Sequence, residues 1–241
     1  MKLTYQGIQD KAAFAAANIA LPKYDWQQMC AETEKTPVWV HFGAGNIFRG
    51  FIAVLQQRLL DEGLATSGIV AAETFDYDII NKIYDPFDSM TLMVTLKPDG
   101  STDKEVIASI AKGVRACSAE AEQWAQLKAI FENPSLQFAS FTITEKGYSL
   151  VNGAGQYIPD VQYDLDNPSL YPKSTMGKLT ALMLHRYACG ALPLALVSMD
   201  NCSHNGEKLQ NAILEIAKAW LEGGKIRELE ATVALRVGYT E

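Results

Sequence analysis

The chain has 241 residues, of which 48% are hydrophobic and 20% charged, a composition typical of a compact globular protein with a sizeable core. Its 21 Lys and Arg residues and 28 Asp and Glu residues give a formal net charge of −7, which argues against a nucleic-acid partner. The four scattered cysteines form no CxxC pair, so they indicate neither a zinc site nor a disulfide framework and fit a reducing cytoplasm.

The first 36 residues are predicted to be a lead-in segment with a short helix at residues 12–20. A β-prone run at 38–42 follows and leads directly into Gly43-Ala44-Gly45. Apolar residues then recur at helical spacing over residues 47–60, and Gly63 ends this helix. The apolar positions of that helix are Ile47, Phe51, Val54, Leu55 and Leu59.

A second apolar run at residues 68–72 ends in Glu73 and completes a βαβ unit. Residues 90–96 and 106–110 flank a turn sequence and predict an antiparallel hairpin. The later elements are predicted as a helix at 119–131, a strand at 136–143, a loop at 152–173, a helix at 176–187, a buried strand at 194–199 and a helix at 207–221.

This alternation of strands and helices predicts an α/β fold with a doubly wound, mostly parallel sheet and a hairpin insertion. No apolar stretch approaches the roughly 18–20 residues of a membrane helix, so no membrane partner is expected. In doubly wound sheets, ligands bind beyond the carboxyl ends of the strands. Three polar or glycine-rich segments follow predicted strands and are therefore the candidate sites.

The strongest of these segments is the glycine turn. Gly43 would allow a tight turn out of the strand, and Gly45 would let the backbone approach a pyrophosphate at a helix N-terminus. Phe48 replaces the third glycine of the GxGxxG pattern, so a purely structural turn is the alternative. The candidate cofactor-binding residues are Gly43, Ala44, Gly45, Asn46, Ile47, Phe48 and Arg49, with Arg49 in reach of a phosphate.

An acidic residue at the end of the second strand accepts hydrogen bonds from ribose hydroxyls and repels a 2′-phosphate. Glu73 has this position, and Asp76 competes with it for the role. Either residue would favour NAD over NADP. The alternative for both is an ordinary exposed acid.

The other two segments lie at 142–148 and 200–205. Thr144 and Glu145 are candidate cofactor contacts, whereas Lys146 is predicted to be a solvated lysine. Asp200 and Asn205 are candidate substrate contacts, because such side chains hydrogen-bond hydroxyl or carbonyl groups. Of the histidines, His204 is predicted to be solvent-exposed rather than a general base, His41 to be a core residue, and His185 to lie on a helix surface.

Three stretches together resemble the mannitol dehydrogenase family of long-chain polyol and uronate oxidoreductases. They are residues 43–51 (Gly-Ala-Gly-Asn-Ile-Phe-Arg-Gly-Phe), residues 142–148 (Thr-Ile-Thr-Glu-Lys-Gly-Tyr), and Ser-Met-Asp-Asn at 198–201 with Asn205-Gly206. The glycine turn is similar to the family's own, in which an arginine follows and a third glycine is not required. Residues 43–51 are more similar to tagaturonate and fructuronate reductases than to mannitol enzymes.

The resemblance implies an NAD-dependent enzyme that moves a hydride between nicotinamide and a sugar acid or polyol, such as tagaturonate, fructuronate, mannitol or fructose, without a metal. It assigns residues 37–241 to the NAD-binding domain and places Asn201 near the oxyanion of the reacting carbonyl. The catalytic lysine is expected in a helical domain outside these 241 residues, so this chain alone is expected to bind nucleotide and turn over poorly. Two alternatives remain open: a sugar-phosphate dehydrogenase similar to mannitol-1-phosphate 5-dehydrogenase, and a non-catalytic nucleotide-sensing domain.

Overall fold

A computed structural model describes residues 1–167 and 171–224 of the chain. The contacts between residues divide the chain into two compact units, Met1–Val114 and Arg115–Glu241. The strands form parallel pairs and one antiparallel hairpin among the helices, which confirms the predicted α/β fold with a hairpin insertion. In the described part of the chain, no helix is both long and apolar enough to cross a membrane.

The first unit contains three short N-terminal helices, the glycine turn and most of the strands. Its helices are α1 (Tyr5–Ile8), α2 (Lys11–Ala16), α3 (Trp26–Lys35) and α4 (Ala53–Asp61). A π-helical turn, Phe48–Ile52, leads into α4, and further tight turns lie at Ile80–Tyr84 and Asp85–Phe87. Its strands are β1 (Trp39–Phe42), β2 (Ile69–Glu73), β3 (Thr91–Leu96), β4 (Thr102–Ile107) and β5 (Ile110–Arg115), the last of which ends at the unit boundary.

The sheet of the first unit places the glycine turn at a strand end. β1 and β2 are parallel, with Trp39 opposite Ile69 and Phe42 opposite Ala72, and β5 is the other neighbour of β2. All five residues of β2 are buried, as expected for a parallel strand covered on both faces. The glycine turn and Glu73 therefore lie at the carboxyl ends of adjacent parallel strands, at the same edge of the sheet.

The antiparallel pairing of β3 with β4 confirms the predicted hairpin, although β4 begins earlier than the sequence pattern indicates and β5 was not predicted. The N-terminal segment packs against this hairpin. Ile8, Phe14 and Ile19 form one buried cluster with Met90, Val106 and Ala108. The predicted helix at 12–20 is shorter in the structure, because Asn18 adopts a left-handed conformation at φ 54°, which interrupts a right-handed helix.

The helix after β1 buries a different face from the one that its apolar residues predict. Four of those residues, at i, i+4, i+8 and i+12, are exposed: Ile47 by 69%, Phe51 by 64%, Leu55 by 45% and Leu59 by 42%. Only Val54 of the predicted set is buried. The prediction is therefore wrong about which face of this helix meets the core.

Two glutamines occupy the buried face of α4 instead. The Gln57 side chain donates to the carbonyl of Val106 (2.7 Å) and accepts from the amide of Ala108 (2.9 Å). Gln56 donates to the carbonyl of Ser67 (2.7 Å). Buried amide side chains are tolerated when they are hydrogen-bonded, and these two pair with backbone groups near the ends of β2 and β4.

The second unit contains one parallel strand pair and five helices among its described residues, 115–167 and 171–224. Its helices are α5 (Ala121–Glu132), α6 (Thr144–Tyr148), α7 (Pro159–Asp166), α8 (Thr175–Ala188) and α9 (Asn205–Glu222), and its strands are β6 (Phe138–Phe141) and β7 (Ala195–Ser198). β6 and β7 are parallel, with Phe141 opposite Ser198. Four of these elements, α5, β6, α8 and α9, were predicted within a few residues.

Three predictions for the second unit are wrong. α7 lies inside the predicted loop at 152–173, where Pro159 occupies the first helical position and starts the helix. Residues 144–148, predicted to be a loop after the strand, form the short helix α6. β7 was predicted as a buried strand, but Ala195 is exposed and the other three residues are only partly buried.

Candidate functional site

The turn after β1 has the conformation that its first glycine predicts. Gly43 adopts φ +104°, a conformation that side chains other than glycine rarely tolerate. Its amide donates to the carbonyl of Ala72 on β2 (2.9 Å). Ala44 is fully buried, and its carbonyl accepts a hydrogen bond from the Tyr84 hydroxyl (2.9 Å). The start of the turn is thus held by one hydrogen bond to β2 and by another from the Tyr84 side chain.

The second glycine of the turn has no such conformational reason to be glycine. Gly45 lies outside the left-handed region, and a Cβ placed on it would meet no protein atom within 4 Å. The space beside Gly45 is therefore open. Because the first amides of a helix have no acceptor within the helix, this open space lies beside amide donors that suit an anion.

Arg49 lies one turn into the helix and is partly buried. Its guanidinium donates from Nη2 to the side chain of Asn46. Among the described residues, its buried Nε has no hydrogen-bond partner. A buried donor without an acceptor costs free energy, so this nitrogen is suited to an acceptor that a ligand supplies.

Phe48, at the position of the missing third glycine, has a structural role. It is fully buried, and its ring stacks on His41 with centroids 4.1 Å apart and an interplanar angle of 7°. Burial lowers the pKa of His41 to about 3, so its imidazole is neutral near pH 7. His41 is thus the core residue that was predicted.

Glu73 holds the glycine turn and its own turn together. One carboxylate oxygen, Oε2, accepts from the amide of Ala44 (2.9 Å). The other, Oε1, accepts from the amides of Thr74 (2.9 Å), Phe75 (2.9 Å) and Asp76 (3.3 Å). Only 8% of Glu73 is exposed, whereas Asp76 is exposed. The two acids proposed for one role therefore have very different surroundings.

The turn after β7 is organised by Asp200. Its carboxylate accepts from the amides of Ile143 (2.9 Å) and Thr144 (3.1 Å), which follow β6. It also accepts from the Tyr148 hydroxyl (2.6 Å), which lies 2.6 Å from the hydroxyl of Ser198. Burial, followed by the hydrogen bond to Asp200, raises the pKa of Tyr148, so this phenol stays protonated. Asp200 thus connects the ends of β6 and β7.

Asn205 closes the same turn from its other end. Its side chain donates to the Asp200 carbonyl (2.8 Å) and accepts from the amide of Gly206 (2.7 Å). Asn201, between these fixed points, is exposed. The sequence analysis expected Asp200 and Asn205 to contact the substrate and Asn201 to lie near the oxyanion. In the structure, Asp200 and Asn205 shape the turn, and Asn201 is left exposed.

Thr144 and Glu145, the candidate cofactor contacts of this segment, are both exposed. Thr144 adopts φ +62°, a left-handed conformation uncommon for a β-branched residue. Glu145 pairs with Lys208 of α9, and this hydrogen bond lowers the pKa of Glu145. Lys146 is exposed, as predicted.

His204 does not enter the Asp200 network. Its side chain is 73% exposed, and its Nδ1 lies 3.2 Å from the carboxylate of Glu207. It adopts φ 54° at the start of α9. These observations agree with the prediction of a solvent-exposed histidine rather than a general base.

The pattern of the Mannitol dehydrogenase Rossmann domain matches residues 38–234, a span that includes the turns after β1 and β7. The chain belongs to the mannitol dehydrogenase family. It is 42% identical over 228 residues to the D-mannonate oxidoreductase of Thermotoga maritima, a match that covers 95% of this chain and 42% of that protein.

Two solved structures share its fold. The substrate-free structure of D-sorbitol dehydrogenase superimposes with a TM-score of 0.72 at 26% identity, over 90% of this chain and 43% of that one. Mannitol 2-dehydrogenase of Pseudomonas fluorescens, solved with NAD and D-mannitol, gives a TM-score of 0.76 at 24% identity, over 97% of this chain and 44% of that one. These matches confirm the expected Rossmann-type fold, and the chain spans less than half the length of each of the three relatives.

Proposed function

We propose that this chain binds NAD at the glycine turn and forms the cofactor-binding part of an oxidoreductase for sugar acids or polyols. The observation that carries the proposal is the open space beside Gly45. The fold does not need a glycine there, whereas a pyrophosphate approaching the backbone does. Arg49, one turn into the same helix, has a buried Nε without a hydrogen-bond partner in the described part of the chain and is proposed as a cationic donor to the pyrophosphate.

The residues present therefore fit a dinucleotide. In this proposal the amides at the start of the helix and the Arg49 guanidinium hold the pyrophosphate, with Gly43, Ala44, Asn46, Ile47 and Phe48 shaping the turn. Thr144 and Glu145 are proposed as further cofactor contacts. NAD, when bound, accepts or donates the hydride.

We divide the recognition of the adenosine ribose between two acidic residues, Glu73 and Asp76. Glu73 accepts one backbone hydrogen bond through Oε2 and three through Oε1, so Oε2 has acceptor capacity left. Asp76 is exposed and bears the charge that a 2′-phosphate would meet first. We therefore assign discrimination between NAD and NADP to Asp76, and both turn geometry and a ribose contact to Glu73.

For the reaction itself, we assign to Asn201 a hydrogen bond to the oxygen of the reacting carbonyl. Asp200 and Asn205 serve the substrate site by holding the turn that presents Asn201. Transfer of a hydride to a carbonyl also requires a proton donor for the alkoxide. We assign that role to a lysine outside these 241 residues, so the chain alone is expected to bind NADH with little turnover.

The substrate that we favour is fructuronate, or D-mannonate, its reduced form, in the reverse direction. The D-mannonate oxidoreductase of Thermotoga maritima, at 42% identity, supports this choice. Tagaturonate and the pair of fructose and mannitol are the other members of the proposed class. A cytoplasmic location is part of the same proposal, because all four cysteines are free thiols.

Calorimetric titration of the chain with NADH and with NADPH tests the cofactor assignment. We expect NADH to bind more tightly. Asp76→Asn should raise the affinity for NADPH several-fold and so bring it closer to the affinity for NADH. The control, Asp78→Asn, changes an exposed acid of the same segment and should leave the ratio of the two affinities unchanged. Equal weak binding of both nucleotides by the unchanged chain would refute the proposed site.

An enzyme assay tests the substrate class. The complete enzyme should oxidise D-mannonate or reduce fructuronate with the preferred nucleotide, and carboxylated sugars should compete with one another for its site. Preference for a phosphorylated sugar would instead favour the mannitol-1-phosphate type of dehydrogenase. Tight nucleotide binding with no turnover of any sugar would favour a nucleotide-sensing domain.

A further inference from the structure

The second unit brings three side chains of different chemistry together at the ends of two helices. Glu132 is the last residue of α5, and His185 and Cys189 lie in the last turn of α8 and directly after it. His185 and Cys189 are four residues apart and therefore share one side of that helix. None of the three belongs to the turns after β1 or β7.

The ligand atoms of this cluster converge on one nitrogen. Nε2 of His185 lies 2.6 Å from Oε1 of Glu132 and 4.0 Å from Sγ of Cys189. All three ligand atoms lie within 4.8 Å of one another. The Glu132 and His185 side chains are 48% and 27% exposed, and Cys189 is a free, exposed thiol, so an ion can reach the cluster from solvent.

These distances are close to those of a tetrahedral metal site. Zinc binds nitrogen and oxygen at about 2.0–2.1 Å and sulfur at about 2.3 Å, which sets neighbouring ligand atoms roughly 3.3–3.7 Å apart. The oxygen and nitrogen would therefore move apart by about 0.7 Å and the sulfur and nitrogen together by about 0.4 Å. Side-chain rotation alone accommodates shifts of this size.

We propose that Glu132, His185 and Cys189 form a binding site for one Zn²⁺-class divalent cation, with water in the fourth position. A thiolate, an imidazole and a carboxylate suit zinc or cobalt, whereas magnesium and calcium prefer oxygen ligands. On binding, the Cys189 thiol releases its proton to solvent and its sulfur forms the bond to the metal. The proton on Nε2 of His185, which faces Glu132, is lost to solvent or moves to Nδ1, so that the Nε2 lone pair binds the ion. No redox step is involved.

The consequence of binding is a metal cross-link between the ends of α5 and α8. Since the unfolded chain does not hold these three residues together, the ion binds the folded state preferentially and stabilises it. Sequence patterns do not reveal this site, because Glu132 lies 53 positions before His185 and no CxxC pair is present.

Titration of the 241-residue chain with Co²⁺, under a non-thiol reductant, tests the proposal. We expect one equivalent to bind and to produce a thiolate-to-cobalt absorption band in the near ultraviolet. Cys189→Ser should abolish that band, and His185→Gln should lower the affinity at least tenfold. Matched controls, Cys202→Ser and His204→Gln, should leave both the band and the affinity unchanged.

Thermal unfolding with and without Zn²⁺ gives a second readout. The melting temperature of the unchanged chain should rise with Zn²⁺, and that of Cys189→Ser should not. Because all three side chains are partly or largely exposed, the variants should melt like the unchanged chain when no metal is present. The proposal fails if no ion binds, if the sulfur band survives in Cys189→Ser, or if it is lost in Cys202→Ser instead.

Discussion

The turns after β1 and β7 are both held by one carboxylate, but in different ways. Glu73 accepts four backbone amides and is 8% exposed. Asp200 accepts two backbone amides and the Tyr148 hydroxyl and is only partly buried. The hydrogen bonds that Glu73 accepts therefore come from backbone amides, whereas Asp200 depends partly on a side-chain donor, the Tyr148 hydroxyl.

The open parts of the two turns differ as well. The first leaves open space beside Gly45, which suits a ligand that binds backbone amides. The second leaves an exposed amide side chain, that of Asn201, which suits a ligand recognised by side-chain chemistry. A turn that offers backbone amides thus suits a ligand part that never varies, such as the proposed pyrophosphate, whereas a turn that presents a side chain suits the variable substrate.

Removing the charge of the two carboxylates should have unequal effects. Glu73→Gln places an amide donor among four backbone donors, so we expect it to lower the free energy of unfolding by roughly 3 kcal/mol. Asp200→Asn, with fewer amides and more solvent, should cost about 1–2 kcal/mol. Urea unfolding measures both. Equal losses would contradict the distinction between the two turns.

Filling the open space of the first turn should affect binding without affecting folding. Gly45→Ala should weaken NADH binding by about 30-fold, roughly 2 kcal/mol, because the methyl group occupies the space proposed for the pyrophosphate. The melting temperature should stay the same or rise slightly, since the backbone there accepts alanine.

The matched control for this change is Gly153→Ala. Gly153 also has no protein atom within 4 Å of a built Cβ and no left-handed φ, but it lies outside both turns. Calorimetry should find unchanged NADH affinity for this variant. If Gly45→Ala binds NADH as the unchanged chain does, the space beside Gly45 is not the pyrophosphate site.

The buried histidine next to the first turn, His41, should make the stability of the fold depend on pH. The pKa of buried His41 is lowered to about 3 from an ordinary value near 6.5, so the unfolded chain binds a proton more readily. The contribution of neutral His41 to the free energy of unfolding is therefore fully present above about pH 6.5. It is lost as the pH decreases towards 3, by up to about 1.4 kcal/mol per pH unit. Unfolding measured at several pH values should show this slope reduced in His41→Phe but retained in His204→Gln, whose histidine is largely exposed.

The smallest expected effect concerns the side-chain link of the second turn. Tyr148→Phe removes the hydroxyl that donates to Asp200 while keeping the ring, and should cost about 1 kcal/mol. The loss should largely disappear when Asp200 is already asparagine, which a double-mutant cycle would measure. Additive losses would show that the two side chains act independently.

Much of the site could be read from the sequence because it depends on local chemistry. The first turn was predicted correctly from the β-prone run, the two glycines and the helix that follows them. A left-handed backbone conformation such as that of Gly43 can be predicted locally, because glycine is the residue that adopts it readily. The amphipathic pattern of α9 likewise predicted its buried residues Leu209, Ile213, Ile216 and Trp220, because a period of 3.6 places them on one face.

What the sequence could not specify are the contacts between distant residues. Nothing local shows that Glu73 accepts the amide of Ala44, 29 positions away, or that Gln57 rather than Leu55 faces the core. A buried polar side chain is stable only when its partners are in place, and those partners come from other elements. Local sequence patterns therefore specify the type of fold and the position of the glycine turn. Contacts between distant elements select which polar residues hold the turns and which remain open to a ligand.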